Sequence, residues 1–143
     1  MVCKNRNIKK IGENGGKDTK KLSEAEFEIM QVLWRHNAPM TSNQLLEEMG
    51  DNRNWKLASL MTVLSRMAEK GAVHCDRSTR TNYYTALVSE EDYKITEGTS
   101  FLEKLFNRSA KDFVASLYQG KKMSSKDIQE LREYLDSLEK EEV

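Results

Sequence analysis

Five times along this chain a Ser or Thr stands three residues ahead of a Glu, Gln or Asp at the head of an apolar repeat: Ser23 with Glu26, Thr41 with Gln44, Ser89 with Asp92, Ser109 with Asp112 and Ser124 with Asp127. A hydroxyl in that place accepts from the backbone N–H of the third helical residue, so each pair marks where a helix begins. A further helical stretch, "WKLASLMTVLSRMAEKG", runs from Trp55 to Gly71. Only after Gly71 does the period change: Val73 and Cys75 alternate with polar neighbours, "DRSTRTN" supplies turn residues, and "YYTALV" has strand propensity. The pattern therefore predicts a mainly α chain with one small β-hairpin, in the order three helices, hairpin, three helices.

The first helix carries Phe27, Met30, Leu33 and Trp34 on one side and stops before Pro39, which disfavours helical geometry at Ala38. The second turns Leu45, Leu46 and Met49 inward and ends at Gly50, and "DNRN" makes a turn. In the third, Leu57, Leu60, Met61, Leu64, Met67 and Ala68 form one apolar stripe, and Gly71 closes the helix as its C′ residue. Three helices followed by a hairpin is the order of a winged helix-turn-helix domain, expected over 22–88. A helical domain is expected over 89–143, and the Gly-, Asn- and Lys-rich residues 1–21 read as a basic disordered arm. That arm either touches phosphates or is a solubilising tail.

Several function classes drop out. The chain has no P-loop, no G-x-G-x-x-G and no G-x-S-x-G elbow, and neither His36 nor His74 stands beside a candidate nucleophile, so it is not expected to be an enzyme. Two cysteines, Cys3 and Cys75, cannot form a disulfide framework, and no metal-ligand spacing is present, so neither metal nor cofactor is expected. No apolar run has the ~18 residues of a membrane span and the start lacks a signal-peptide core, which predicts a cytoplasmic protein without membrane insertion. Net charge is zero, from 23 basic and 23 acidic residues, but it is unevenly spread. The arm is basic and the segment after Ser89 leans acidic.

Opposite the apolar stripe of the third helix lie Ser59, Thr62 and Arg66. Two small hydroxyls beside one guanidinium make a surface that can lie close against something else. In a DNA groove the hydroxyls bond to base edges or phosphates and the arginine pairs with guanine or clamps a phosphate. Trp55, Lys56 and Lys70 flank this face, and the hairpin adds Arg77, Arg80 and Tyr83. Winged helices also serve as protein-interaction adaptors without DNA, and composition leaves that alternative open. In the C-terminal helices Phe101, Leu105, Phe113 and Leu117 recur, and Ile128, Leu131, Leu135 and Leu138 follow with 3,4,3 spacing. These faces either fold back on the first domain or pack on a second copy; a homodimer is expected because the first domain is complete without them.

The segments "LSEAEFEIMQVLW", "WKLASLMTVLSRMAEKG", "NYYTALV" and "MSSKDIQELREYL" resemble the penicillinase-repressor family of bacteria (BlaI/MecI/CopY), from Leu22 to near Leu138. The resemblance implies a dimeric winged-helix repressor of an antibiotic-resistance or metal-homeostasis operon, with the antibiotic-resistance type favoured, bound to palindromic double-stranded operator DNA. It places Trp55, Ser59, Thr62 and Arg66 at the family's recognition-helix positions. The chain departs from the pattern at Leu57, where a proline is common, and at Ala58 and Met61, where basic residues often sit. β-Lactam-responsive members are inactivated when a membrane sensor-protease leads to a cut at an Asn–Phe bond. The aligned pair here is Ser100 and Phe101, so the resemblance implies a candidate cleavage site lacking the asparagine. Copper-responsive relatives carry C-terminal cysteine pairs, and no cysteine follows Cys75.

Overall fold

All five hydroxyl-led helix starts form. The computed structural model describes residues 21–50 and 54–141, and the elements run α1 (Glu24–His36), α2 (Ser42–Met49), α3 (Leu57–Glu69), β1 (Val73–Asp76), β2 (Tyr83–Ala86), α4 (Glu90–Phe106), α5 (Ala110–Gln119) and α6 (Ser125–Glu141). Most of the basic arm, residues 1–20, and the turn at 51–53 lie outside the described residues. Ser23 Oγ accepts from Glu26 N at 3.2 Å while Glu26 Oε1 accepts from Ser23 N at 2.9 Å. The same reciprocal pair forms between Thr41 and Gln44 and between Ser124 and Asp127. Ser89 and Ser109 each accept from the backbone three residues on, at 3.0 Å.

α1 and α3 end where the backbone turns left-handed. Asn37 closes α1 at φ 50°, just before Pro39. Gly71, at φ +84°, follows the last turn of α3, and Ala72 N then donates to Met67 O at 2.9 Å. A side chain at that φ is strained, which is why glycine stands there. The helix itself starts at Leu57, two residues later than the expected Trp55, and Lys56 is its N-cap.

Strands β1 and β2 pair antiparallel, with Val73 opposite Ala86 and Cys75 opposite Tyr84. Met40, in the link between α1 and α2, adds a third backbone to the hairpin. Its N–H donates to Tyr84 O at 3.0 Å, and Tyr84 N donates back at 2.8 Å. Against this small sheet α1, α2 and α3 bury Ile29, Met30, Leu33, Leu45, Leu60, Leu64 and Met67 completely. Trp34 Nε1 donates to Val88 O at 2.8 Å, which ties the end of the hairpin back to α1.

The chain divides into two compact units between Glu97 and Gly98, inside α4. Tyr93 is the reason. Its ring packs near Phe27 and Trp34, with centroids 6.0 and 5.8 Å away, and its hydroxyl accepts from Leu22 N at 3.1 Å. The first turns of α4 therefore belong to the first core. In the second unit Phe101, Phe106 and Phe113 form a ring cluster with centroids 5.2–5.8 Å apart. Among the described residues α5 and α6 contain no buried side chain. No described helix is long and apolar enough to cross a membrane.

Candidate nucleic-acid interface

The core decides which side of α3 looks outward. Leu60, Leu64 and Met67 are fully buried, so the opposite arc presents Ala58, Ser59, Met61, Thr62, Ser65 and Arg66, all exposed. Ser59, Thr62 and Arg66 are thus brought together on one solvent-facing surface, three and four residues apart. The apolar stripe is narrower than its spacing predicts. Leu57 is 41% exposed and Met61 39%, because α1, α2 and the hairpin together cover only the side of α3 centred on Leu60 and Met67.

This widens the face in a direction that the charge pattern did not reveal. Ala58 and Ser65 lie near the middle of the outward arc, and Leu57 and Met61 line its edge. Small and apolar groups of this kind contact thymine methyls when a helix lies in a major groove. Thr62 Oγ1 donates to Ala58 O at 3.1 Å, so its hydroxyl proton is occupied and it presents oxygen lone pairs and a methyl. α3 also differs at its start. Lys56 makes no side-chain cap, whereas all five other helices begin at a Ser or Thr whose oxygen accepts from the backbone three residues on. Its first-turn N–H groups are left to solvent or to an anion.

The flanking residues separate into two groups. Lys56 is exposed beside the N-terminus of α3. Trp55 and Lys70 point elsewhere. Trp55 is half-buried against the core, and its Nε1 donates to Glu28 Oε1 at 3.2 Å. Lys70 Nζ lies 2.8 Å from Glu26 Oε1 with its side chain only 18% exposed, so it is an internal ion-pair partner and not a free surface cation. Burial pushes the Glu26 carboxyl up, but the Lys70 hydrogen bond, the Ser23 amide and the Lys70 charge together hold it below the usual carboxylate range.

The hairpin holds its arginines outward through local bonds. Ser78 N donates to Asp76 Oδ1 at 2.9 Å and Thr79 Oγ1 to Thr81 O at 2.8 Å, which fixes the loop between the strands. Arg77 and Arg80 are exposed, and the Cys75 thiol beside the Arg77 guanidinium raises its already high pKa. Tyr83 is half-buried. Burial first, and then Cys75, push the neighbouring Tyr84 phenol up.

In the second unit Phe101, Leu105, Leu135 and Leu138 are exposed, Leu105 by 64%, while Phe113, Leu117, Ile128 and Leu131 are half-buried. Ser100 is half-buried within the continuous helix α4, next to exposed Phe101.

A family model described as penicillinase repressor matches residues 22–137. The chain is 29% identical over 115 residues to the penicillinase repressor of Bacillus licheniformis, covering 80% of this chain and 89% of that protein. It is 26% identical over 118 residues to the methicillin resistance regulatory protein MecI of Mammaliicoccus sciuri, covering 82% and 95%. Among solved structures, the B. licheniformis BlaI monomer in complex with the blaP half-operator shares 31% identity at a TM-score of 0.45, covering 52% of this chain and 90% of that one.

Proposed function

Given that the chain belongs to the penicillinase repressor family, whose members are transcriptional repressors and not enzymes, we propose that it represses by binding a palindromic operator as a homodimer. The observation that carries this reading is the outward face of α3. Ser59, Thr62 and Arg66 stand clear of the core on a helix whose other side buries Leu60, Leu64 and Met67. Arg66 reads or clamps, the hydroxyls and Ala58 allow close approach, and the first-turn N–H groups of α3 meet a backbone phosphate. Lys56, Arg77 and Arg80 supply phosphate contacts beside the groove. Trp55 acts from behind by holding the start of α3, and Tyr83 packs at the root of the hairpin.

Dimerisation follows from the second unit, whose apolar side chains a single copy leaves uncovered. Phe101, Leu105, Phe113, Leu117, Ile128, Leu131, Leu135 and Leu138 form the interface between copies. Two linked readers then address two half-sites, and a dimer-dependent repressor releases its operator when the linkage fails. The regulated genes are of the antibiotic-resistance type that the relatives' names describe. A cut at Ser100–Phe101, triggered through a membrane sensor-protease, would sever reader from dimeriser. Because that bond lies inside a regular helix, α4 has to open locally before a protease can hold it in extended form.

Hydroxyl-radical footprinting on the DNA upstream of the protein's own gene tests the operator reading. Two symmetric protected patches about one helical turn or a multiple apart are expected. A single patch contradicts the dimer, and no patch contradicts repression from that site. Mass spectrometry of the protein from β-lactam-treated cells tests the cut: a fragment ending at Ser100 is expected, and derepression with an intact chain contradicts it.

A further inference from the structure

Among the described residues Glu26 is the only buried carboxylate, and its capping role does not account for that burial. The same reciprocal cap forms at Thr41 with Gln44 and at Ser124 with Asp127, and both of those lie at the surface. Stability does not account for it either. A buried ion pair repays its desolvation poorly, and apolar side chains of the same volume serve as well or better.

Geometry supplies the missing role. Glu26 Oε1 accepts from Ser23 N at 2.9 Å and from Lys70 Nζ at 2.8 Å, so one oxygen joins the first turn of α1 to the C-cap of α3. Lys70 lies one helical turn beyond Arg66 on nearly the same side of α3, yet its ammonium is bent inward, with the partner carboxylate side chain 3% exposed. An apolar contact tolerates rotation of a helix, whereas a short charged hydrogen bond has a direction. Rotation of α3 moves Ser59, Thr62 and Arg66 together.

Building on the DNA-reading proposal above, we propose that the Glu26–Lys70 pair is a positioning device that fixes the rotation of α3 about its axis and so sets sequence discrimination by Ser59, Thr62 and Arg66. Lys70 is then withheld from DNA and contributes no phosphate contact.

The test compares wild type with the double variant Glu26→Gln, Lys70→Met. Gln keeps an acceptor for the Ser23 amide, and Met keeps an aliphatic chain without the charge. The probe is the duplex that wild type enriches most from a randomised pool, titrated beside a scrambled duplex at several salt concentrations. The double variant is expected to melt cooperatively and to keep the wild-type salt slope. Its preference for the enriched duplex falls by roughly tenfold or more, the worth of one well-aimed base contact. An unchanged preference overturns the proposal. So does a salt slope reduced by about 0.9, which marks Lys70 as a phosphate contact.

If the double variant does not melt cooperatively, Lys70→Met alone carries the same expectations, because Glu26 can then take up a proton. Lys70→Arg, which retains the pair, keeps the preference. If wild type enriches no duplex, the DNA reading itself fails, and amide exchange still decides the pair. Faster exchange over residues 67–72 in the double variant at unchanged global stability supports a positioning role, and unchanged exchange refutes it.

Discussion

α3 and α6 carry comparable apolar stripes, yet the centre of one is fully buried and the other has no buried residue. Leu60, Leu64 and Met67 of α3 have no exposed surface, whereas Leu135 and Leu138 of α6 are exposed and Ile128 and Leu131 are only half-covered. Every buried hydrophobic residue among those described lies at or before Tyr93. The difference teaches that periodicity states which side of a helix is apolar and not what covers it. The first unit covers its stripes with its own elements. The second, the end of α4 with α5 and α6, has too little surface to do so, which is why a second copy is proposed to cover it.

The contrast breaks most visibly under core truncation. Leu64→Ala in the first unit is expected to cost about 2–5 kcal/mol, because it leaves a cavity where nothing can collapse. The same truncation at exposed Leu135 is expected to leave the melting of dilute monomer nearly unchanged. Equal losses at the two positions, read by thermal unfolding, contradict the division. Next in size is Leu131→Asp, which places a charge on the half-buried seam of α6. Analytical ultracentrifugation is expected to show monomers, and an intact dimer moves the interface elsewhere.

Arg66→Ala sharpens the comparison from the other side. Arg66 is exposed in the well-packed unit, so truncation is expected to leave the melting temperature in place and to weaken operator binding by roughly 1–3 kcal/mol. Unchanged binding in a gel shift removes Arg66 from the interface.

The smallest effect concerns pH. Glu26 is held below its ordinary value in the folded state, so the unfolded chain binds its proton first and the ionised form favours folding. That contribution is present above about pH 4.3 and is lost as pH falls through the folded-state value. Wild type should therefore lose stability on acidification more than Glu26→Gln, Lys70→Met does. Parallel pH profiles contradict the ion-pair assignment.

Much of the fold was legible because its signals are local. The Ser and Thr caps, Asn37 before Pro39, Gly71 at a positive φ and the change of period after it each act within a few residues. The face of Ser59, Thr62 and Arg66 was legible for the same reason, since helical spacing alone separates it from Leu60 and Leu64. What escaped depends on distant partners. Glu26 looks like an ordinary capping residue, and only the packing of α3 on α1 brings Lys70, 44 positions away, to its oxygen. Nothing near Lys70 in the sequence signals that contact. Tyr93 joins the first turns of α4 to the first core by reaching Leu22, 71 positions away. Leu57 and Met61 fit the apolar stripe by spacing and fall outside it because neighbouring elements cover a narrower arc.

The claim that α3 presents a DNA-reading face is tested most directly by fluorescence anisotropy of the purified protein. The titration uses the region upstream of its own gene and a scrambled duplex of equal length, each at two salt concentrations. Tight binding that prefers the native region and weakens as salt rises, with slope near −0.9 per phosphate neutralised, is the expected result. Equal, weak binding to both duplexes would contradict it and leave Ser59, Thr62 and Arg66 as the surface of a protein-binding adaptor.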